Sequence, residues 1–367
     1  MNAPAHTDRL IVDIRHNCDI SDARDHGIYS MCTMVLKLRG LYKWETGLQP
    51  WEEAESADLL DWIEVKENFW ATIAHEDYRP LAINGRALDP LAIEEINAGL
   101  NGTLHYGAGF GRSMKAVFFL AEKLAERSVE GCPVTILGAE QAREMASPFA
   151  MVQDGRILIR REALRFFLWD QVQEVRSSCR NSLRHALQFY GLLRDGALDQ
   201  QRFRDSLDNI VDQEMDLFIH HEVGEILQSD LTSATLRRII DRFPGSVLEF
   251  VGRAVKDILA DTHPLGLLAW AIRERRPSSL GFYLSFLDGL REKFFPELPI
   301  AWQRFAIDGD WRHIEAARHA CWLRNQQVAW RIEETGRMIG EAEDEAVLAF
   351  FNSRVLDPLG LAAAQTV

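Results

Sequence analysis

The sequence predicts a mainly α-helical protein, with a small α+β domain at residues 1–161 followed by an all-α helical bundle domain at residues 162–367. The chain of 367 residues is longer than a single hydrophobic core usually supports. Asp154 and Gly155 stand between two apolar runs, which is the signal of a two-residue β-hairpin. After Arg161 the apolar residues recur at helical spacing, and no stretch shows the alternation of a strand. Strands are therefore expected only in the first domain.

The elements of the first domain follow from local patterns. The β-branched run at 9–15 favours a short strand, and residues 28–40 have helical spacing that ends at a glycine. Four tryptophans between residues 41 and 80 are expected to anchor a small core. We also predict helices at 58–73, 91–100 and 117–127, a strand at 133–137, a loop between Pro80 and Pro90, and a glycine-rich loop at 105–113.

The second domain is predicted as a succession of helices that each present an apolar face. The tail from residue 361 onward is expected to fray. The predicted helices span 162–176, 178–193, 199–227, 232–243, 246–260, 264–275, 278–295, 310–334 and 341–351.

The densest group of metal-ligating residue types lies on the predicted helix 199–227. Glu214, His221 and Glu225 fall on one stripe of that helix, and carboxylates and imidazoles on facing helices are how bundles bind divalent metals. A later helix adds Asp257 and Asp261, one turn apart, and His263 follows closely; these six residues are the candidate ligands. Glu222 and His220 are the candidate general base or supporting residues. Such ligands suit iron, manganese or zinc, and the chemistry would be oxidation with dioxygen or metal-assisted hydrolysis.

A structural interpretation of the same residues stays open. The spacing matches neither the Glu-x-x-His pairs of di-iron bundles nor His-Glu-x-x-His, since Glu225 stands three residues after Glu222. The carboxylates would then pair with arginines, of which seven lie between residues 237 and 276. The buried part of the helix makes either a metal or an ion pair necessary, because isolated buried carboxylates are costly.

The glycine-rich stretch is a second candidate site. Gly107, Gly109 and Gly111 alternate, and backbone N–H groups in such a loop can turn toward an anion, with Arg112 adding positive charge. The stretch is neither a phosphate-binding P-loop nor a full dinucleotide fingerprint. A tight turn between packed elements is the alternative.

A third group collects thiols and imidazoles near the N-terminus: His16, Cys18, Asp22, His26 and Cys32. The functional interpretation is a metal or nucleophilic site in which Asp22 orients His26 one turn away. The structural interpretation makes Asp22 a first-turn acid and Cys32 a core thiol. The spacing fits no common zinc pattern, which favours the structural interpretation.

Composition limits the partners and the compartment. Lysine and arginine number 41 against 55 acids, so the formal charge of −14 disfavours nucleic acid and anionic membranes. No apolar run reaches the length of a membrane span, and the N-terminus lacks the pattern of a signal peptide. The five cysteines form no disulfide framework. We therefore expect a cytoplasmic protein; a small-molecule substrate and a homo-oligomer stay open.

Four stretches resemble a bacterial family of uncharacterised proteins, and the resemblance spans nearly the whole chain. These stretches are 13–23 (DIRHNCDISDA), 218–225 (FIHHEVGE), 255–262 (VKDILADT) and 279–283 (SLGFY). The resemblance implies two domains, and it carries no assigned activity, so no catalytic residue is taken from it.

Two functions follow from the sequence. The first is a metal-dependent oxidoreductase or hydrolase with a His/carboxylate site in a helical bundle. The alternative is a non-catalytic helical interaction protein whose α+β domain binds a partner or a small anion. The sequence does not decide whether the protein is an enzyme.

Overall fold

The protein is described here by a computed structural model that covers residues 3–111, 114–174, 180–287 and 289–361. These residues divide into two compact units. The first holds the described chain up to Glu174 together with Gln200–Met215. The second holds the rest of the described residues from 180 onward. The domain boundary at residue 161 stays a prediction.

The first unit is built on a five-stranded sheet with helices around it. The helices are α1 (Ala3–Asp25), α2 (Met31–Thr46), α3 (Ser56–Ile73), α4 (Ile93–Gly99), α5 (Arg161–Glu174) and the first part of α7 (Gln200–Leu227). The strands are β1 (Leu81–Ile83), β2 (Arg86–Leu88), β3 (Leu104–Phe110), β4 (Ala116–Val129), β5 (Cys132–Arg143), β6 (Ala150–Gln153) and β7 (Arg156–Arg160). The strand order in the five-stranded sheet is β3-β4-β5-β7-β6, in which β5 and β7 are parallel and the other neighbours are antiparallel.

Helix α1 covers one face of this sheet. Leu10, Ile14 and Cys18 recur every four residues along α1 and are buried against Phe118 and Leu120 of β4. The predicted strand at 9–15 is therefore wrong, because burial of this helical stripe overrides the weak helix propensity of the β-branched residues. The predicted end of the next helix at Gly40 is also wrong, since α2 continues to Thr46.

Strand β4 replaces the helix that was predicted at 117–127. Its residues alternate, so that Phe118 and Leu120 face α1, whereas Phe119 and Ala121 enter a core with Leu158 on the opposite face. Pairing with β3 on one side and β5 on the other satisfies the backbone of an Ala/Glu/Lys-rich segment that would otherwise favour a helix. The helix prediction is wrong because the pairing partners are distant in sequence.

The hairpin at 154–155 is confirmed, and other two-residue hairpins were missed. β6 and β7 pair across Asp154 and Gly155, both of which have positive φ. The predicted loop between Pro80 and Pro90 contains the hairpin β1–β2, whose turn is Asn84-Gly85. Two more hairpins join β4 to β5 across Glu130-Gly131, and β8 (Leu193–Arg194) to β9 (Ala197–Leu198).

The named elements among the described residues of the second unit are helices apart from that short hairpin, so the all-α prediction is wrong in this detail. The protein is mainly helical, with its large sheet in the N-terminal half. One helix of this unit, α13 (Glu297–Asp308), was not predicted. The helices of this unit are α6 (Arg180–Phe189), the second part of α7, α8 (Ser233–Arg242), α9 (Val247–Thr262), α10 (Leu267–Arg273), α11 (Pro277–Phe286), α12 (Gly289–Phe294), α13 (Glu297–Asp308), α14 (Trp311–Met338) and α15 (Asp344–Phe351).

Two helix crossings of the second unit depend on glycine. Gly224 of α7 lies so close to α9 that an added Cβ would overlap the carbonyl of Ala260. Gly281 of α11 also lies close to another helix, since its added Cβ would be 2.7 Å from the carbonyl oxygen of Ser182 in α6. The first crossing sets the distance between the two helices that carry the candidate site. Among the described helices, none is both long and apolar enough to cross a bilayer.

Candidate functional site

The candidate site forms where α7, α9 and α11 meet. The His221 Nδ1 and the Asp261 Oδ1 are 2.6 Å apart, and the Tyr283 hydroxyl donates to the other Asp261 oxygen over 3.0 Å. Asp261 is 1% exposed, whereas the His221 side chain is 20% exposed. The buried carboxylate thus fixes the imidazole through Nδ1, and the other ring nitrogen, Nε2, takes no part in this bond.

The charge state of His221 follows from its neighbours. Burial alone would lower its pKa, but the carboxylate of Asp261, with smaller contributions from Glu222 and Asp257, raises this pKa to about 10. The imidazole is therefore protonated at neutral pH. Burial and the charge of Asp261 raise the pKa of Tyr283 well above its ordinary value, so the phenol stays neutral and donates.

Two further carboxyls border the imidazolium. Burial raises the pKa of Glu222 to about 7, against the opposing effect of His221. Burial also raises the pKa of Asp257, again opposed by His221. Glu222 is 7% exposed, and no hydrogen-bond partner of its carboxyl is found among the described residues. Glu222 is thus a buried carboxyl that changes its charge near neutral pH.

Glu225 is paired with lysine at the edge of this group. Lys256 Nζ lies 2.6 Å from Glu225 Oε1 and also donates to Ser233 over 3.2 Å. Burial tends to raise the pKa of Glu225, but the ammonium of Lys256 lowers it below the ordinary value. This is the ion-paired arrangement that the structural interpretation predicts, with lysine in place of arginine.

Two of the predicted site residues lie beside tryptophan rings. The His220 ring stacks on Trp270, with centroids 5.1 Å apart. The His263 ring lies against Trp322, and its Nδ1 accepts a hydrogen bond from the backbone N–H of Leu265. His263 is the first residue after the end of α9 at Thr262, and its place beside Asp257 and Asp261 stays a prediction.

The metal ligands predicted on α7 and α9 divide into two groups. His221, Glu225, Asp257 and Asp261 interact electrostatically with one another, as Glu222 does with them. Glu214 is fully buried in the part of α7 that belongs to the first unit. Sequence patterns did not reveal Tyr283, because it lies 62 residues after His221 and belongs to no ligand motif.

Within the described ranges, no group of three or more His, Cys, Asp and Glu side chains is arranged to hold a metal ion. The reason is local: both oxygens of Asp261 are hydrogen-bonded, and Glu225 is bound to Lys256. Hydrogen bonds and ion pairs thus occupy carboxylate oxygens of Asp261 and Glu225 that a metal would need. The divalent metal stays a prediction.

The glycine-rich stretch is a strand, so the expected loop is wrong. Gly107 and Gly109 belong to β3 and pair with Phe119 and Val117 of β4. An added Cβ on Gly107 would overlap the Phe119 ring, so close packing explains this glycine. The N–H of Gly111 donates to the carbonyl of Lys115 over 2.8 Å. Arg112, the fourth predicted anion-binding residue, lies outside the described residues.

The N-terminal thiols and imidazoles do not converge. Cys18 is buried and bonds the carbonyl of Phe118, whereas Cys32 is exposed. His16 pairs with Glu76, and His26 Nδ1 contacts the backbone oxygen of Asp22 rather than its carboxylate. The side chain of Asp22 instead lies 2.8 Å from Lys115 Nζ. Two details of the structural interpretation are wrong as well, because Asp22 lies in the last turn of α1 and pairs with Lys115, and Cys32 is exposed rather than a core thiol.

The protonated His221 makes a pH dependence of stability that can be measured. Since its pKa is about 10 in the folded protein and near 6.5 in the unfolded chain, the folded state holds one more proton between these values. Its stabilisation is complete below the unfolded pKa and is lost as the pH rises through the folded one. We expect the free energy of unfolding to fall by up to about 4 kcal/mol between pH 7 and pH 10, measured by urea unfolding.

The variant His221→Gln tests the origin of that slope. It should be less stable at pH 7 than the wild type and nearly independent of pH above 7. His75→Gln, which replaces an exposed histidine of the first unit, should keep the wild-type slope. An unchanged slope in His221→Gln would show that other groups are responsible.

Together, the sheet unit, the helical unit and the polar group on α7 and α9 define a mainly helical two-part protein with a buried acid–base cluster. Two family models cover this chain: "Family of unknown function (DUF6866) N-terminal domain" matches residues 9–160, and "Family of unknown function (DUF6866) C-terminal domain" matches residues 165–354. The chain belongs to this family, whose function is unknown. No curated protein and no solved structure matches the chain.

Proposed function

We propose that the protein is an enzyme that performs general acid–base chemistry on a small molecule, with Glu222 as the base. The observation that supports this most strongly is the short bond between His221 and Asp261, which fixes a protonated imidazole beside a carboxyl without a hydrogen-bond partner among the described residues. Groups with shifted pKa values concentrate at catalytic sites, although structural networks also contain them.

The proposed roles follow from the charges. A base is most efficient when its pKa is near the working pH, and the pKa of about 7 gives Glu222 this property. His221 would donate from Nε2 to negative charge that develops on the substrate, since its Nδ1 is bound to Asp261. Asp261 and Tyr283 are positioning residues, because they act through His221. Hydrolysis is the reaction class that this pair favours: Glu222 would take a proton from water, and His221 would stabilise the oxyanion.

The test is hydrolysis of p-nitrophenyl acetate and p-nitrophenyl phosphate by the full chain. We expect a rate that rises with pH through a single ionisation near pH 7 for at least one of them. Glu222→Gln should reduce this rate by about 100-fold or more, which is the usual contribution of a general base. Glu225→Gln serves as the matched control, since Glu225 is paired with Lys256, and it should keep the rate within a factor of ten.

A second readout does not need a substrate. The carboxyl of Glu222 should titrate near pH 7 in a pH series of infrared difference spectra, and its band should disappear in Glu222→Gln. A Glu222 that ionises near its ordinary pKa of about 4.3 would overturn the proposed role, whatever the substrate.

The second candidate is a divalent metal of the iron, manganese or zinc class in the same group. It is supported by the raised pKa values of Glu222 and Asp257, since a cation would relieve the cost of ionising these carboxyls. His221 would have to lose a proton and coordinate the metal through a ring nitrogen. Elemental analysis of the purified chain tests this candidate: bound metal that is lost in the double variant Glu222→Gln, Asp257→Asn supports it. No metal and no change of Tm with added Mn²⁺, Fe²⁺ or Zn²⁺ would refute it.

A further inference from the structure

A polar cavity of about 360 Å³ lies within the first unit. Three helices and the last part of β5 form its walls. Its volume is within the range of small-molecule sites, which is about 300–1,000 Å³. The lining residues are Arg15, Asp19, Asp22, Leu41, Trp44, Glu45, Lys66, Glu140 and Arg143.

The carboxylates of this cavity already have cations as partners. Lys66 Nζ lies 3.1 Å from Asp19 and 2.6 Å from Glu45. Lys115 pairs with Asp22. Arg160, which is fully buried, donates to Glu140 over 2.5 Å. These acids therefore give the cavity little net attraction for a cation.

Arg143 is the cation of the wall that has buried donors without acceptors. It is 7% exposed, and its Nε and Nη1 atoms have no hydrogen-bond partner among the described residues. Two buried acceptors of the same wall, Asp22 Oδ1 and Glu140 Oε2, also have no hydrogen bond there. The ion pair from its Nη1 to Glu140 is long, at 3.5 Å, and Glu140 already binds Arg160. Buried N–H donors without acceptors are rare and costly in proteins, more so on a charged group. The wall thus contains a buried cation, two of whose donor atoms lack an acceptor among the described residues.

Trp44 contacts this guanidinium and that of Arg15. The Arg143 Cζ lies 5.8 Å from the centre of the Trp44 ring, and the Arg15 Cζ lies 5.5 Å from it. Arg15 is exposed, and its Nε donates to the carbonyl of Gln141. Two cations of the cavity lining therefore lie against the same indole, and an anion in the cavity would be attracted by both.

We propose that this cavity binds a small organic anion, whose carboxylate or phosphate group accepts hydrogen bonds from Arg143 and interacts with Arg15. Arginine suits this role because its planar donors match the oxygens of such groups. The site differs from the predicted glycine-rich stretch and lies in the other unit from Glu222, so it does not depend on the proposed enzyme activity.

The test uses the full chain with inorganic phosphate, succinate and citrate as separate probes, each compared with sodium chloride at equal ionic strength. We expect at least one probe to raise Tm, by about 3 °C at ten times its Kd, and to bind with a measurable Kd in calorimetry. If only inorganic phosphate binds, the ligand carries a phosphate group. If only succinate or citrate binds, the ligand carries a carboxylate group. Arg143→Met should weaken the binding at least tenfold. Arg15→Gln replaces an exposed residue and should therefore fold. It should weaken anion binding several-fold, so it tests the proposal even if Arg143→Met does not fold.

Lys37→Met is the matched control. Arg143 also borders a more apolar cavity of about 340 Å³, to which Lys37 contributes. If the anion occupies the polar cavity, Lys37→Met should bind it as tightly as the wild type. Equal loss of binding in Lys37→Met and Arg15→Gln would overturn the proposal, as would an unchanged Tm with all three probes.

Discussion

Replacing Asp261 with asparagine should lower the free energy of unfolding by about 3–5 kcal/mol, because it removes one partner of a buried ion pair and leaves the other. The carboxylate is 1% exposed and binds both His221 and Tyr283, so no solvent can replace it. The measurement is urea unfolding at pH 7, compared with Asp241→Asn at an exposed position of α8, which should change stability by less than about 0.5 kcal/mol.

The same variant should also change the protonation of His221. Without Asp261, burial is the main remaining influence and lowers the pKa of the imidazole, so its NMR titration should move from about pH 10 to below neutrality. A stable Asp261→Asn variant with an unshifted His221 would show that the short bond contributes little to the fold or to the charge state.

Gly224→Ala is expected to lower the free energy of unfolding by about 3 kcal/mol or more, at the upper end of what overpacking costs. The added Cβ would overlap the carbonyl oxygen and the Cα of Ala260, which are backbone atoms and cannot rotate away. α7 and α9 would have to separate, and the same movement would lengthen the bond from His221 to Asp261. Thermal and urea unfolding measure the loss.

Gly252→Ala on α9 is the control for this variant. Its added Cβ would meet only Leu236 Cδ1 at 3.1 Å, and that methyl group can give way. We expect a change below about 1 kcal/mol, partly because alanine favours a helix over glycine. Equal effects at both glycines would mean that the crossing of α7 and α9 is not the cause.

The helical unit could be predicted well from the sequence because its signals are local. α7, α8 and α9 begin and end within a few residues of their predicted limits. The β8–β9 hairpin was missed, although the turn Asp195-Gly196 has the same residues as the recognised turn at 154–155. Strands of two residues are too short to show alternation.

The strands of the sheet unit were harder to predict because pairing partners decide them. β4 lies in a segment whose composition favours a helix, and only its ladders with β3 and β5 make it a strand. Conversely, α1 contains a β-branched run that is helical because Leu10, Ile14 and Cys18 are buried along one side of the helix. These two errors have one physical origin: tertiary burial outweighs propensities of a few tenths of a kcal/mol per residue, as is common for both helices and strands.

The site was predictable only in part for a similar reason. The spacing on α7 and α9 singled out His221 and Asp261, which the structure places in contact. Tyr283 and the donors of Arg143 could not be predicted, because their importance comes from burial beside residues far away in sequence. No local motif marks a cavity whose walls come from residues between 15 and 143.

Helix α7 has a consequence for any attempt to divide the gene. Its residues up to Met215 count with the sheet unit, and the following residues count with the helical unit. Any fragment that stops near residue 161 therefore lacks a segment that completes the sheet unit, including Phe203, which stacks on Trp169 at 4.9 Å. Neither unit is formed by one uninterrupted stretch of the chain, so neither is encoded by one uninterrupted stretch of codons.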